Sequence, residues 1–393
     1  MTDVLFLAWR YLTYHRVKTC ILIAAIALIA YLPVGLNVLV GQSADQLTAR
    51  ASDTPLLVGA RSSPLELVLS SLYFDADTPE LTTYAQAERI AATGLATPIP
   101  LYVRFRARNH PIVGTTLEYF EFRGLRFGSG RAMAVLGESV VGAEAAKRLG
   151  VGPGDSIVSS PETVFDLAGV YPLKMTVAGV LERSFTPDDQ AIFVDLKTAW
   201  VVQGLVHGHQ DLADPDAASA VLDRDENRIT ANASLVQFTE ITEQTVDSFH
   251  FHGDRADYPI SAVIAVPHDQ KSGVLLMGRY EGDGDPARIV RPRTVIDELL
   301  GTVFTVQGFV VAALGLVALA TLATAALVFL LSLRLRRREI DTIVKIGGSR
   351  TSVGALFASE TVAVLLLGGI VAVALTVLTS LFGADAIRTF LLG

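Results

Sequence analysis

Apolar positions in this chain gather into three long uncharged stretches instead of alternating with charge. Thr19 to Ala44 carries no formal charge, and Cys20 to Leu39 is almost wholly apolar. About 20 apolar residues cross the ~30 Å of bilayer hydrocarbon, so 19–41 is predicted as a first transmembrane helix. A secretory signal peptide shares the basic flank, but this stretch outruns a usual h-region and no small-x-small cleavage site closes it. Leu299 to Leu333 is a second uncharged run, of 35 residues. As a helix it would reach ~52 Å, so the second span, 301–333, is expected to carry a membrane-proximal extension. Thr361 to Ala384 supplies a third run of 24 uncharged residues, within a span assigned to 353–384.

Between the first two spans, 42–300 changes character. Ser139 to Leu149 reads as a helix with Ala143, Ala146 and Leu149 on one face and Gly150 at its C-terminal cap. Gly152-Pro153-Gly154-Asp155 reads as a turn. Short β-prone runs lie at Ser156–Val158, Leu173–Leu181, Ala191–Asp195, Leu235–Glu240 and Ile260–Val266. Acid-rich Asp211–Glu226 and Glu281–Asp285 read as solvated loops without the spacing of a calcium-binding EF-hand. The fold class expected is a membrane protein: three transmembrane helices plus a large α+β extracytoplasmic domain between the first and second.

Charge orients this layout. Residues 1–41 hold 3 basic and 1 acidic side chains and 301–393 hold 7 and 4, leaving 22 basic and 35 acidic in 42–300. Arg10, Arg16 and Lys18 precede the first span. Arg334, Arg336, Arg337, Arg338, Lys345 and Arg350 lie between the second and third. Lysine and arginine mark cytoplasmic flanks, so 1–18 and 334–352 are expected inside and the acidic middle outside, with 385–393 as an external tail. No domain-sized basic face exists, which excludes a nucleic-acid binder. A single cysteine, Cys20, excludes intramolecular disulfides and multi-cysteine metal motifs.

Two groups of residues carry candidate chemistry. In the inner turn, Ile340, Ile343, Val344 and Gly347 recur at helical spacing and make one narrow apolar face, with Arg334, Arg338, Asp341 and Lys345 opposite. Such a helix can rest on anionic headgroups or dock in a partner's groove. In the middle block, four of seven histidines form two pairs, His207 with His209 and His250 with His252. If each pair lies in a strand, its two side chains share a face, and two pairs brought together would offer a Zn²⁺ or Cu²⁺ site. Read otherwise, they are solvated loop histidines. Phosphate-loop, H-E-x-x-H and G-x-S-x-G signatures do not occur, so no intrinsic ATP hydrolysis or other catalysis is expected. Glu360 borders the third span at its cytoplasmic margin, where a structural role is weighed against a proton relay.

The inner turn, Arg336-Arg337-Arg338-Glu339-Ile340 through Gly347-Gly348-Ser349-Arg350, resembles the signature of MacB-like and FtsX-like ABC transporter permeases. Ala8-Trp9-Arg10-Tyr11-Leu12 is similar to that family's amphipathic entry helix. Gly114 through Phe120 with Gly130-Arg131, and Gly137-Glu138 through Gly154-Asp155, resemble its periplasmic core domain. The resemblance implies a permease in a bacterial inner membrane, N-terminus cytoplasmic and large domain periplasmic. Its partners would be a cytoplasmic ABC ATPase that binds ATP and Mg²⁺, a second permease copy in a homo- or heterodimer, membrane lipids, and a periplasmic adaptor or lipoprotein. Arg336, Arg338, Glu339, Ile340, Ile343, Val344 and Gly347 would couple to the ATPase, whose hydrolysis would drive periplasmic motion that moves envelope cargo. The family's fourth span has no counterpart here, which reads as truncation or a three-span variant. A membrane-anchored periplasmic ligand or metal sensor without transport is the alternative.

Overall fold

The computed structural model of the chain describes residues 2–75, 80–160, 172–208, 221–225, 228–231, 239–242, 244–251, 253–282, 285–335, 342, 345 and 349–392. Its internal contacts divide it into two units, Thr48–Asp297 and Met1–Leu47 with Glu298–Gly393. The chain opens with helices α1 (Thr2–Tyr14) and α2 (Arg16–Ser52). Next are β1 (Leu56–Ala60), α3 (Pro64–Leu72), β2 (Thr82–Thr83), α4 (Ala85–Thr93), β3 (Ala96–Ala107) and β4 (His110–Thr115). Then follow α5 (Glu118–Phe122), β5 (Phe127–Gly130), β6 (Glu138–Val141), α6 (Ala143–Leu149), β7 (Ser156–Val158), β8 (Lys174–Leu181), β9 (Ile192–Asp195) and α7 (Leu196–Val202). After these run β10 (Val206–Gly208), β11 (Val221–Asp225), β12 (Arg228–Ala231), β13 (Phe249–Phe251), β14 (Pro259–Ile260), β15 (Ala262–Pro267), α8 (Gln270–Gly278) and β16 (Ala287–Val290). Two long helices, α9 (Pro292–Leu335) and α10 (Arg350–Leu392), come last.

In Thr48–Asp297 a ten-stranded mixed sheet runs in the order β16-β1-β15-β3-β4-β9-β6-β8-β5, with β7 also paired to β8. β1 is buried along its whole length between antiparallel β16 and β15, which explains its unbroken apolar run. β8 instead alternates exposed and buried positions, one face on the core and one facing away. The β3–β4 hairpin turns through Arg108 and Asn109, both at positive φ (45° and 74°), the left-handed pair that a two-residue hairpin loop requires. Trp200 anchors the core: it is fully buried, and its indole N–H donates to Pro259 O at 2.8 Å.

The stretch predicted as one helix over Ser139–Leu149 is a strand, a hinge and a shorter helix. β6 lies between β8 and β9, and α6 starts only at Ala143 and ends at Gly150 in the left-handed region. Val140 and Val141 are fully buried in the sheet, where a short apolar run gives no period that separates strand from helix. Asp285 is not solvated either: its side chain is 11% exposed and takes the Arg89 guanidinium at 2.6 Å. Val221–Asp225, read as loop, is a strand paired antiparallel with β12. The rest of Asp211–Glu226 lies outside the described residues, as do all but the last two positions of Leu235–Glu240.

In the other unit, three helices are long and apolar enough to cross a membrane: Arg16–Ser52, Pro292–Val328 and Val353–Gly383. α1 packs against α10, burying Ala8 and Leu12. α2 and α10 meet closely at Gly368, where a Cβ would stand 2.7 Å from Ile26 Cγ2. Tyr31 and Thr379 hydroxyls join them at 2.7 Å, and Gln42 donates to Ser380 O at 2.9 Å. Gln307 on α9 donates to Asn37 on α2 at 2.7 Å. Glu360 is buried on α10.

Candidate functional site

The last turn of α2 ends in a buried polar cluster that sequence reading did not single out. Arg50 and Asp188 are 6% and 1% exposed and form a two-pronged pair, Nη1 to Oδ2 at 2.6 Å and Nη2 to Oδ1 at 3.0 Å. The fork of a guanidinium matches a carboxylate in this bidentate way, which a lysine cannot reproduce. Arg50 Nη2 also donates to Tyr119 Oη at 3.0 Å, and Nε donates to Leu72 O. Tyr119 Oη donates to Asp188 Oδ1 at 2.7 Å, and Thr186 Oγ1 donates to Oδ2 at 2.9 Å. The guanidinium also lies over the Phe74 ring, 5.4 Å from its centroid.

Local sequence sets each partner. Thr186 caps the 3-10 turn Pro187–Gln190 and Pro187 opens it, an N-terminal start signal that presents Asp188 inward. Asp189 straps the preceding loop by accepting from Ser184 N and Phe185 N, both at 2.8 Å. Gly142 lets the turn approach, because a Cβ there would collide with the Asp188 and Asp189 backbone. Arg123 braces the cluster by donating to Thr54 Oγ1 at 2.9 Å, and Thr54 donates to Arg50 O at 3.0 Å.

Burial alone would push the Asp188 carboxyl up, but the Arg50 charge and hydrogen bonds outweigh it and hold the group below the usual carboxylate range. Tyr119 is pushed up to about 12, chiefly by burial and then by the neighbouring Asp188 charge. Burial likewise pushes Tyr73 up to about 12, against the opposing charges of Arg50 and Arg123. The Arg50 and Asp188 charges are therefore both retained and fully enclosed. Desolvating such a pair offsets much of its attraction, so its chief effect is to make one geometry obligatory for the end of α2.

α9 is rooted beside it. β1, which follows α2, pairs antiparallel with β16, which precedes α9, through Leu57↔Val290, Val58↔Ile289, Gly59↔Arg288 and Ala60↔Ala287. Arg293, in the first turn of α9, donates from Nη1 to Ser52 Oγ at 2.9 Å. The arrangement holds two helix ends on adjoining strands of one sheet.

A family model described as the MacB-like periplasmic core domain matches residues 21–238. The chain belongs to the MacB-like permease family. Two solved structures are similar to parts of this MacB-like chain. One is the periplasmic region of MacB from Actinobacillus actinomycetemcomitans, 10% identical, covering 63% of this chain and 92% of that one with a TM-score of 0.33. The other is the extracellular domain of the noncanonic ABC-type transporter YknZ from Gram-positive bacteria, 9% identical, covering 60% and 98% with a TM-score of 0.33. At that identity and score the assignment rests on the family match. Comparison with curated proteins finds no match.

In this MacB-like chain the residues expected to couple to an ATPase, Arg336, Arg338, Glu339, Ile340, Ile343, Val344 and Gly347, lie outside the described residues; of the same turn, Thr342 and Lys345 are described and are helical. The metal candidates divide. His207 and His250 are register partners across β10 and β13, while His209 and His252 lie outside the described residues. Among the described residues no three metal-ligating side chains gather. The Thr186-Pro187-Asp188 start signal was available in the sequence, but its pairing with Arg50, 138 positions away, was not.

Proposed function

We propose that this chain is the permease subunit of a MacB-like ABC transporter. A separate cytoplasmic ATPase subunit binds and hydrolyses ATP, and the resulting motion passes along the membrane helices to the periplasmic domain, which moves envelope cargo such as a lipoprotein. In this reading the N-terminus and 334–352 are cytoplasmic, a second permease copy completes the transporter, and the chain is not catalytic by itself. The observation that supports it best is the rooting of α2 and α9. Each is one unbroken helix reaching from an apolar stretch to a residue fixed in the domain, Arg50 by a buried ion pair and Pro292 directly after β16. A hinge there would dissipate motion; a fixed root passes it on.

Ile340→Asp combined with Ile343→Asp should leave the chain in the membrane and abolish co-purification of the ATPase subunit. Co-purification at the wild-type level overturns the docking role of 334–352. A flexible Gly-Ser insertion after Asp297 should preserve ATPase binding and hydrolysis but abolish the nucleotide-dependent change in protease sensitivity of the domain. An unchanged response in that variant overturns force transmission through α9.

A further inference from the structure

We propose that the cavity between α4 and the end of α8 binds a small organic oxyanion, a carboxylate or a phosphate diester. It has a volume of about 490 Å³ and is lined by Arg89, Ala92, Thr93, Arg279 and Tyr280. That size lies within the ~300–1,000 Å³ of small-molecule sites, which combine apolar walls with a few placed polar groups.

Arg89 is fixed before any ligand arrives. Its guanidinium stands over the Tyr280 ring, 4.3 Å from the centroid. Nη1 donates to Asp285 Oδ2 at 2.6 Å, and Nη2 donates to Arg279 O at 3.2 Å. Asp285 is held in turn, because Arg61 Nη1 donates to Gly282 O at 3.0 Å and to Asp285 O at 3.2 Å. Tyr280 is buried, and its hydroxyl donates to Gln86 Oε1 at 3.2 Å. A guanidinium has five N–H donors, so these two bonds do not exhaust Arg89. Holding the donor in place beforehand lowers the ordering cost of binding.

Arg279 is the group that the fold leaves unused. Its backbone is engaged, N–H to Leu276 O at 3.2 Å and carbonyl to Arg89. Among the described residues its exposed guanidinium has no hydrogen-bond or ion-pair partner. Two arginines against the single Asp285 carboxylate leave one positive charge in excess at the cavity. Glu88 faces Arg255 at 3.6 Å, and Glu281 does not line the cavity. In a stretch with 35 acidic against 22 basic side chains, that local excess directs a singly charged anion to this spot. Guanidinium forks match the paired oxygens of a carboxylate or phosphate. The remaining lining decides what carries the anion. Thr93 Oγ1 is spent, donating to Ile90 O at 2.7 Å and accepting from Leu95 N at 3.1 Å. Thr93 and Ala92 therefore offer methyl groups, which suit a compact apolar body attached to the charged end.

The test uses the full chain in a non-ionic detergent and saturation-transfer NMR, with benzoate and glycerophosphoglycerol as probes. The second is the soluble headgroup of a phospholipid, so the two probes separate a free carboxylate from a lipid source. At least one should bind saturably, and more weakly as salt rises. Arg279→Gln should weaken that binding at least about tenfold, as loss of a charge-assisted hydrogen bond does. Its melting temperature should equal the wild type's, since the side chain holds nothing else in place. Ala92→Phe, at an exposed helix position, should block binding by filling the cavity with both arginines present. Lys147→Gln, the same change of charge on α6, should leave binding unchanged. Binding of neither probe, or binding undiminished in Arg279→Gln or in Ala92→Phe, overturns the proposal. So does an equal loss in Lys147→Gln, which would mark attraction to overall charge and not to a site. None of these outcomes depends on the transporter reading.

Discussion

Arg293 donates to Ser52 at 2.9 Å, so the first turn of α9 is tied to the last residue of α2. The Arg293 side chain is 59% exposed, whereas the Arg50–Asp188 pair two residues away in sequence from Ser52 is closed off. A solvent-exposed hydrogen bond contributes roughly 1 kcal/mol or less. Leaving one charge of a buried pair alone costs about 3–5 kcal/mol. Ser52→Ala should therefore barely move the melting temperature of the full chain in detergent. Arg50→Met should lower it far more, and Arg50→Met with Asp188→Leu should recover most of the loss. Equal melting shifts for Ser52→Ala and Arg50→Met would contradict the cluster's energetics.

Stability should fall at both pH extremes, for different groups. Tyr119 and Tyr73 are raised to about 12, so their contribution is complete below the unfolded value near ~10 and is lost as pH rises from there toward 12. The depressed Asp188 carboxyl contributes above the unfolded value near ~3.9 and loses that contribution as pH falls through its lower folded value. Absorbance titration of tyrosinate should show Tyr119 and Tyr73 among the late-ionising tyrosines, beside Tyr280, which burial also raises, and Tyr119→Phe should remove one. Tyr119 and Tyr73 both ionising near ~10 in the folded protein would refute the burial.

Two glycines should respond to alanine for opposite reasons. At Gly142 an added Cβ strikes the Asp188 and Asp189 backbone, so the turn that presents Asp188 must move, at about 1–3 kcal/mol or more. At Gly150 a Cβ meets open space, but φ of 68° is unfavourable to any L side chain by about 1–2 kcal/mol. Gly142→Ala should make the Arg50→Met defect nearly redundant in the double variant, whereas Gly150→Ala should add to it independently. Melting curves of the two double variants decide.

The α2–α10 contact can be checked covalently. At Gly368 a Cβ would lie 2.9 Å from Ile26 Cβ, about 0.6 Å inside the lower end of the ~3.5–4.5 Å range of disulfides. With Cys20→Ser as background, Ile26→Cys with Gly368→Cys should oxidise within one chain and shift mobility on a non-reducing gel. A pair that crosslinks only between chains would contradict the packing.

The three apolar stretches were legible because a helix long and apolar enough to cross a membrane announces itself through length and composition alone. So was Gly150, whose position after an alanine-rich run is what a left-handed cap needs. β6 was not, because Ser139-Val140-Val141 is enclosed by strands on both sides and its apolar run carries no alternation. Asp285 read as solvated because its partner, Arg89, comes from α4 nearly two hundred positions earlier. The Arg50 clasp was hidden for the same reason: an arginine closing an apolar helix looks like a solvated end until tertiary structure brings Asp188 to it.

The β1–β16 ladder behaves differently according to the direction in which it is loaded. The end of β1 that receives α2 and the end of β16 that launches α9 lie together, because the strands are antiparallel. A load along the strands shears them, and every rung from Leu57↔Val290 to Ala60↔Ala287 resists at once. A load that spreads their shared end opens the rungs successively, beginning at Leu57↔Val290, with Arg293 and Ser52 as the first fastening to yield. The ladder is stiff to shear and compliant to peeling.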